Sequence, residues 1–416
     1  MLCKLYLIFV FCLRSKQSLL FYLPLHLILK NYIVNKGLIA LAFGGLAIGM
    51  TEFSMMGILQ DIAKDQHIAI TEAAHFIALY ALGVVVGAPI LTIFTGKIAP
   101  KKVLMLLMIL FVVFNGLFAL APEYNTLAIS RFMAGLPHGA FFGVGSVVAS
   151  QLAKKGKEAQ AIAFMFTGMT IANLAGVPLG TYIGHHYSWR ITYGIIALLG
   201  LVTFAAIYFW LPTIDTKSTG DLKQQLSYFK QPKAWLIVAT IAIGTGGLFS
   251  WITYISPMVT KVGGLSEDRV PLIMVLVGAG MFVGNILGGK LADSILPTKA
   301  AIACFSAMAL TLVAVYFTAH LPHMAYVMAF VTGMVAFTIG SPLQMMLINS
   351  ATGSENIAAA AGQASFNIGN TLGAYFGGIP ITYGFLYNSP VLVGVGMASC
   401  GTLLAFIYLR KYLNQH

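Results

Sequence analysis

The chain has 416 residues, 59% of them hydrophobic and 9% charged, with a net charge of +12. A soluble domain carries about 25% charged residues, so this chain has too few to cover itself with a solvated surface. The basic excess does not point to nucleic acid, because the lysines and arginines sit in short connections between apolar runs.

Those runs are about 20 residues long, the length that a helix needs to cross a bilayer. Backbone groups in lipid must pair internally, which leaves helices or a closed barrel. The runs show no polar alternation, which excludes the barrel. Cys3, Cys12, Cys304 and Cys400 show no spacing of a disulfide framework or metal site. Neither a metal nor a cofactor is expected.

Residues 1–35 contain two apolar stretches, Leu5 to Leu13 and Leu19 to Leu29, separated by Arg14 and Lys16. Each is too short to span, and no small-residue cleavage site follows. The segment reads as an N-terminal extension, either an interfacial helix or the product of a start site set too early, and the second is favoured. From Lys36 onward the sequence predicts twelve spans, at 37–59, 72–95, 103–121, 126–150, 160–183, 190–211, 234–257, 270–292, 299–318, 323–347, 357–381 and 389–409. Residues 36–211 form the expected N-terminal six-helix half and 234–416 the C-terminal half, with the polar, basic stretch 212–233 as the linker between them.

Short connections rich in Lys and Arg face the cytoplasm. One side holds Lys97, Lys101, Lys102, Lys154, Lys155, Lys157, Lys217, Lys223, Lys230, Lys233, Lys290, Lys299, Arg410 and Lys411. The other holds Lys64, Lys261 and Arg269, with Arg190 at a span entrance. Both termini are therefore expected in the cytoplasm. The halves also read as copies. Gly87 and Gly284 differ by 284 − 87 = 197, and the same offset relates Gly49 to Gly246, Gly83 to Gly280, Asn173 to Asn370, Gly176 to Gly373 and Gly180 to Gly377. Parallel repeats of this kind build secondary transporters with a site at the midplane between them.

The second-to-third connection reads Gly87-APILTIFTGKIAPKK and its counterpart Gly284-NILGGKLADSILPTK. These stretches resemble the signature loops of the major facilitator superfamily. The resemblance implies a cytoplasmic gate built from Gly87, Lys97, Lys101 and Lys102 in one copy and Gly284, Lys290 and Asp293 in the other. The first copy has Gly96 at the acidic position, which departs from the pattern; its lysines equally satisfy the positive-inside rule. Gly284 to Lys290 also has phosphate-loop spacing, but Leu291 stands where a magnesium-binding hydroxyl belongs and no strand precedes it. Nucleotide binding is rejected.

The fourth span, Arg131-FMA-Gly135-LPH-Gly139-AFF-Gly143, resembles the superfamily's fourth-helix motif. An arginine inside a span is costly and is by default a functional group. Glu52, in GMTEFSMMG, is the one acid well inside a span, at a similar depth. A carboxylate in a low-dielectric cavity holds its proton and a nearby guanidinium loosens it, so Glu52 is the candidate proton carrier and Arg131 the group that biases it; a fixed structural ion pair is the alternative. His138 is a further titratable candidate, although a packed, neutral imidazole is the favoured reading. His185, His186, His320 and His323 read as interfacial.

Gly168, Gly176, Pro178, Gly180 and Gly184 form a small-residue ladder with a proline inside it. Such a stripe lets helices pack closely, and the proline bends it. The ladder reads as a moving seam. It resembles the fifth-helix motif of antiporters within the superfamily, and the whole region from Lys36 onward resembles bacterial drug:proton antiporters of the sugar-efflux and arabinose-efflux permease type. The resemblance implies the twelve-helix fold of two pseudo-symmetric bundles and proton-coupled efflux of a sugar or drug-like molecule across the bacterial inner membrane. The chain would be no enzyme and would work as a monomer, with the proton as coupling ion and no other cofactor. By the same analogy Met55, His138, Trp251, Tyr254, Gln344 and Asn349 join Glu52 and Arg131 around the substrate cavity. A proton-coupled importer of the same fold is the alternative, and a polytopic membrane enzyme or receptor is a weaker one.

Overall fold

A computed structural model of the chain describes residues 35–95, 98–155, 158–213, 227–351 and 355–413. Nearly all of the expected extension 1–35, most of the 212–233 linker, and Lys97 lie outside the described residues. Every regular element among the described residues is helical. The long helices in chain order are α1 (Lys36–Gly57), α2 (Ile70–Thr95), α3 (Pro100–Leu120), α4 (Tyr124–Leu152), α5 (Glu158–Ile171) and α6 (Trp189–Trp210). After them come α7 (Pro232–Thr253), α8 (Val270–Ser294), α9 (Pro297–Thr318), α10 (Pro322–Thr338), α11 (Glu355–Thr382) and α12 (Ser389–Tyr408).

Ten helical stretches among the described residues are long and apolar enough to cross a membrane. One of them, Gln160–Trp210, holds 51 residues and joins α5 to α6. The chain turns there at Ser188, whose backbone is extended at φ −165 and ψ 137 and whose hydroxyl accepts from the Arg190 N–H. Helix α11 is not among the ten. Helices α3, α7, α8, α9, α10 and α12 each carry proline in their first turn. There the missing N–H costs nothing and the fixed φ suits the helix.

The helices pack as two bundles. In the first, α2 lies against α4, α1 against α5 and α6, and α3 against α4 and α6. In the second, α8 lies against α10, α7 against α11 and α12, and α9 against α12. Glycines set the tightest crossings. A Cβ on Gly83 would strike the Phe132 carbonyl and one on Gly87 the Leu136 carbonyl, both on α4; one on Gly280 would strike Phe330 and one on Gly284 Met334, both on α10. Gly87 and Gly284 thus act inside helix crossings rather than in connecting loops.

The ladder on α5 and its continuation climbs α1. Gly168 abuts the Ala42 carbonyl, while a Cβ on Gly176 would come 2.8 Å from Met50 Cγ, on Gly180 3.2 Å from Ser54 Oγ and on Gly184 2.5 Å from Ile58 Cγ2. Its partners therefore recur every fourth residue along α1. The seam read from the sequence is internal to the first bundle; it fixes the helix that carries Glu52. Pro178 follows a π-helical turn, Ala172–Gly176, and stands in the first turn of the helix Val177–Ile183, where a proline needs no donor. On α11 the equivalent glycines pack on α7 and the residue after it: a Cβ on Gly373 would come 2.5 Å from the Gly246 carbonyl and one on Gly377 3.1 Å from the Tyr254 ring. Helix α11 has its own Pro380, five residues beyond Tyr375, the counterpart of Pro178, so both copies carry a proline but in different turns.

The bundles meet where α2 packs on α11 and where α8 packs on the α5 continuation. Gly278 admits the Asn173 carbonyl at the second of these contacts.

Candidate functional site

Arg131 projects from α4 into the first bundle and is fully buried. Its Nη1 donates to the Thr51 hydroxyl at 3.0 Å, its Nη2 to the Thr51 carbonyl at 3.2 Å and its Nε to the Phe76 carbonyl at 3.4 Å. The guanidinium carbon sits 4.3 Å from the centroid of the Tyr80 ring and 5.4 Å from those of Phe118 and Tyr193. A buried charge without compensation is costly; here three carbonyl or hydroxyl acceptors and three ring faces replace the water. The Thr51 hydroxyl donates in turn to Asn115 Oδ1 at 2.5 Å, and Asn115 Nδ2 donates to the Phe111 carbonyl at 2.8 Å. Arg131, Thr51 and Asn115 form one chain across α4, α1 and α3.

Glu52 is the next residue along α1 and is 3% exposed. It forms no hydrogen bond or ion pair among the described residues, and the ion pairs found there do not join it to Arg131. The two residues expected to interact thus share no bond: Arg131 acts on Glu52 through its charge and bonds its chain neighbour Thr51. His138, two turns below Arg131, lies 3.1 Å from the Tyr80 hydroxyl through Nδ1, and its Nε2 is buried without a partner. Tyr80 therefore joins the histidine to the face of the guanidinium.

The other cavity candidates disperse. Met55 is fully buried in the core. Trp251 lines a small pocket of the second bundle with Ile255, Met258, Met324 and Met328. The Tyr254 hydroxyl donates to the Ala374 carbonyl at 2.9 Å, which ties α7 to α11. Gln344 is half-buried beside Gly362, and Asn349 is exposed near the end of the helix Gly340–Ser350. Of the expected gate, Lys101 donates to the Tyr208 and Leu211 carbonyls at 2.8 and 2.6 Å, at the C-terminal end of α6 where a cation suits the helix dipole. Lys102, Lys290 and Asp293 form no ion pair among the described residues.

The sequence reading missed Thr51, Asn115 and Tyr80, single polar residues whose meaning appears only once the helices are packed. It also missed a polar seam between the bundles, on the face poor in lysine. Helix α1 breaks at Ile58 (φ −108, ψ 17) and restarts as Leu59–Asp65. Gln60 on this segment donates to Ser256 at 2.8 Å and to Thr260 at 3.0 Å, and Lys64 Nζ lies 2.6 Å from Glu267 Oε1. Asp65 accepts from Trp189 and Arg190. Partial burial works to raise the Asp65 carboxyl, but bonds from Gln66 and Trp189 and the Arg190 charge hold it below the ordinary carboxylate range. Nearer the middle of the chain's helices, Thr371 donates to the Ala78 carbonyl at 3.3 Å and His75 stacks on Tyr375. Except for the Asp65 bonds, which stay within the first bundle, these contacts join the two bundles toward the lysine-poor face.

Residues 41–377 match the Major Facilitator Superfamily. The chain is 38% identical to AraJ of Escherichia coli (strain K12) over 382 residues, 92% of this chain and 97% of that protein. It is 37% identical over 379 residues to the inner membrane transport protein YdhP of the same organism, covering 91% of this chain and 97% of YdhP. The fold is similar to the crystal structure of a D-xylose-proton symporter, with a TM-score of 0.72, 15% identity and coverage of 91% and 98% of the two chains.

Proposed function

The chain belongs to the Major Facilitator Superfamily and is a multi-pass membrane transporter, and from that premise we propose that it exports a small organic molecule, sugar or drug-like, in exchange for protons. The observation that supports the coupling is Glu52, buried with no hydrogen bond or ion pair among the described residues beside the residue that holds Arg131. A carboxyl group in that position can be neutral or charged without breaking a bond of its own. The neighbouring Arg131–Thr51 link gives the bundle a way to sense the difference. Twelve crossings in two pseudo-symmetric halves, with both termini in the cytoplasm of a bacterial inner membrane, complete the proposal; the lysine-poor face is then the outer one. Matching glycine contacts of α2 with α4 and of α8 with α10 support the repeat. Cargo binds between the halves, which open to one side at a time.

The efflux direction rests on the glycine ladder and Pro178. In proteoliposomes, counterflow under a pH gradient of either sign separates export from the alternative, proton-coupled import. Export requires cargo to move against the inward proton gradient; movement with it would reverse the assignment.

A further inference from the structure

Among the described residues, titratable side chains of both bundles gather at the seam on the lysine-poor face, the outer one in the proposed orientation. His185 stands in the widened turn Gly184–Ser188 that follows α5. Its Nδ1 is 3.0 Å from Asp61 Oδ1 in the first bundle, and its Nε2 is 3.5 Å from Asp268 Oδ1 in the second. His186 Nε2 is 3.6 Å from the same Asp268 oxygen. Beneath them is a pocket of about 10 Å³, lined by Gly57, Gln60, Asp61, His185, Ser256 and Glu267 among others, the space of a single water.

Both ring nitrogens of His185 face carboxylate oxygens. A neutral imidazole has one N–H and can donate to one of them; the imidazolium donates to both. We propose that Asp61, His185, His186 and Asp268 form a proton-operated latch, a second proton site that holds the outer face shut when the histidines are protonated. A proton taken from outside water onto His185 supplies the second donor and a positive charge between two acids on opposite bundles. Its loss leaves the Asp268 arm with an acceptor facing an acceptor, and the seam loosens.

The surrounding charges do not replace that bridge. Lys64 and Glu267 satisfy each other across the same seam, and Arg190 is engaged by Asp65. Lys261 and Arg269 are exposed at the rim. Burial pushes the Asp61 carboxyl up, against the pull of His185 and Lys64. In an exporter, protons arriving from outside after cargo release would close the door behind it. The latch itself depends on neither cargo nor direction.

The test uses the full-length protein in liposomes, with its native cysteines replaced and spin labels at Glu123→Cys and His323→Cys. These are exposed positions on opposite bundles and take no part in the latch's ion pairs. The interlabel distance is measured from about pH 5 to about pH 8, the range in which histidine titrates. A single short-distance population is expected at the acid end, and a longer one should grow several-fold as the pH rises. In the His185→Gln/His186→Gln variant the longer population should be present at every pH. Asp268 is 70% exposed, so Asp268→Asn offers an independent variant with the same expectation. Distances that ignore pH in the parent, or an unchanged pH response in either variant, would overturn the latch. Glu52→Gln must keep the response; its loss there would assign the effect to Glu52 instead.

Discussion

At the scale of residues, Thr51 determines how the buried charge is held. It accepts from Arg131 with both hydroxyl and carbonyl and donates to Asn115, so removal of one oxygen strands two partners. Thr51→Val keeps the shape and should cost about 1–3 kcal/mol, read as a lower melting temperature in detergent, whereas Thr51→Ser should restore most of it. Equal melting temperatures for both variants would mean that the hydroxyl carries no share of the site. Glu52 and Arg131 were legible in the sequence because a charge inside an apolar span stands out without any structure. Thr51, Asn115 and Tyr80 were not, because polar uncharged residues are common in spans and become a network only through the packing of α1, α3 and α4. Gln60 and His185 were hidden for another reason. Both sit at helix ends, where polar residues are ordinary, and their partners are roughly 200 and 80 positions away in the chain.

At the scale of elements, periodicity and small-residue spacing located nearly every long helix. The predicted starts at 103, 234 and 299 fell two or three residues late, because Pro100, Pro232 and Pro297, each with lysine close behind, were read as loop. Proline belongs in a first turn, and lysine stems can lie along a helix end while the ammonium reaches water. The ladder on α5 was also legible, although its partner was not: spacing identifies a stripe and leaves open which helix it meets. Contact with α1 gives that stripe a sharp consequence. Gly168→Ala would drive a methyl group into the Ala42 carbonyl and should destabilise the bundle by about 1–3 kcal/mol. Gly143→Ala meets nothing within 4 Å and should leave the melting temperature equal or slightly higher, since alanine suits a helix better. Comparable losses from both would remove the close packing of α1 and α5 as the reason for the ladder. Pro178→Ala should preserve folding, because the first turn of a helix takes either residue, yet uncouple transport from the proton gradient. Unaltered coupling and export rate would reduce Pro178 to packing.

At the scale of the whole molecule, two bundles touch through α2 with α11 and α8 with the α5 continuation, and are tied by polar bonds on the lysine-poor face. The proposed rocking of one against the other would break Gln60–Ser256, Lys64–Glu267 and His185–Asp268 and leave the glycine crossings inside each bundle intact. Exposed ion pairs such as Lys64–Glu267 contribute little alone, which suits a seam that opens every cycle. The central claim is that this motion is driven by protons through Glu52 and carries cargo outward. The most direct measurement is accumulation of a compound panel in a pump-deficient host expressing the parent or Glu52→Gln, with and without a protonophore. The account predicts lower accumulation of at least one compound class with the parent, abolished both by the protonophore and by Glu52→Gln. Raised accumulation, or lowered accumulation that survives either treatment, would contradict it.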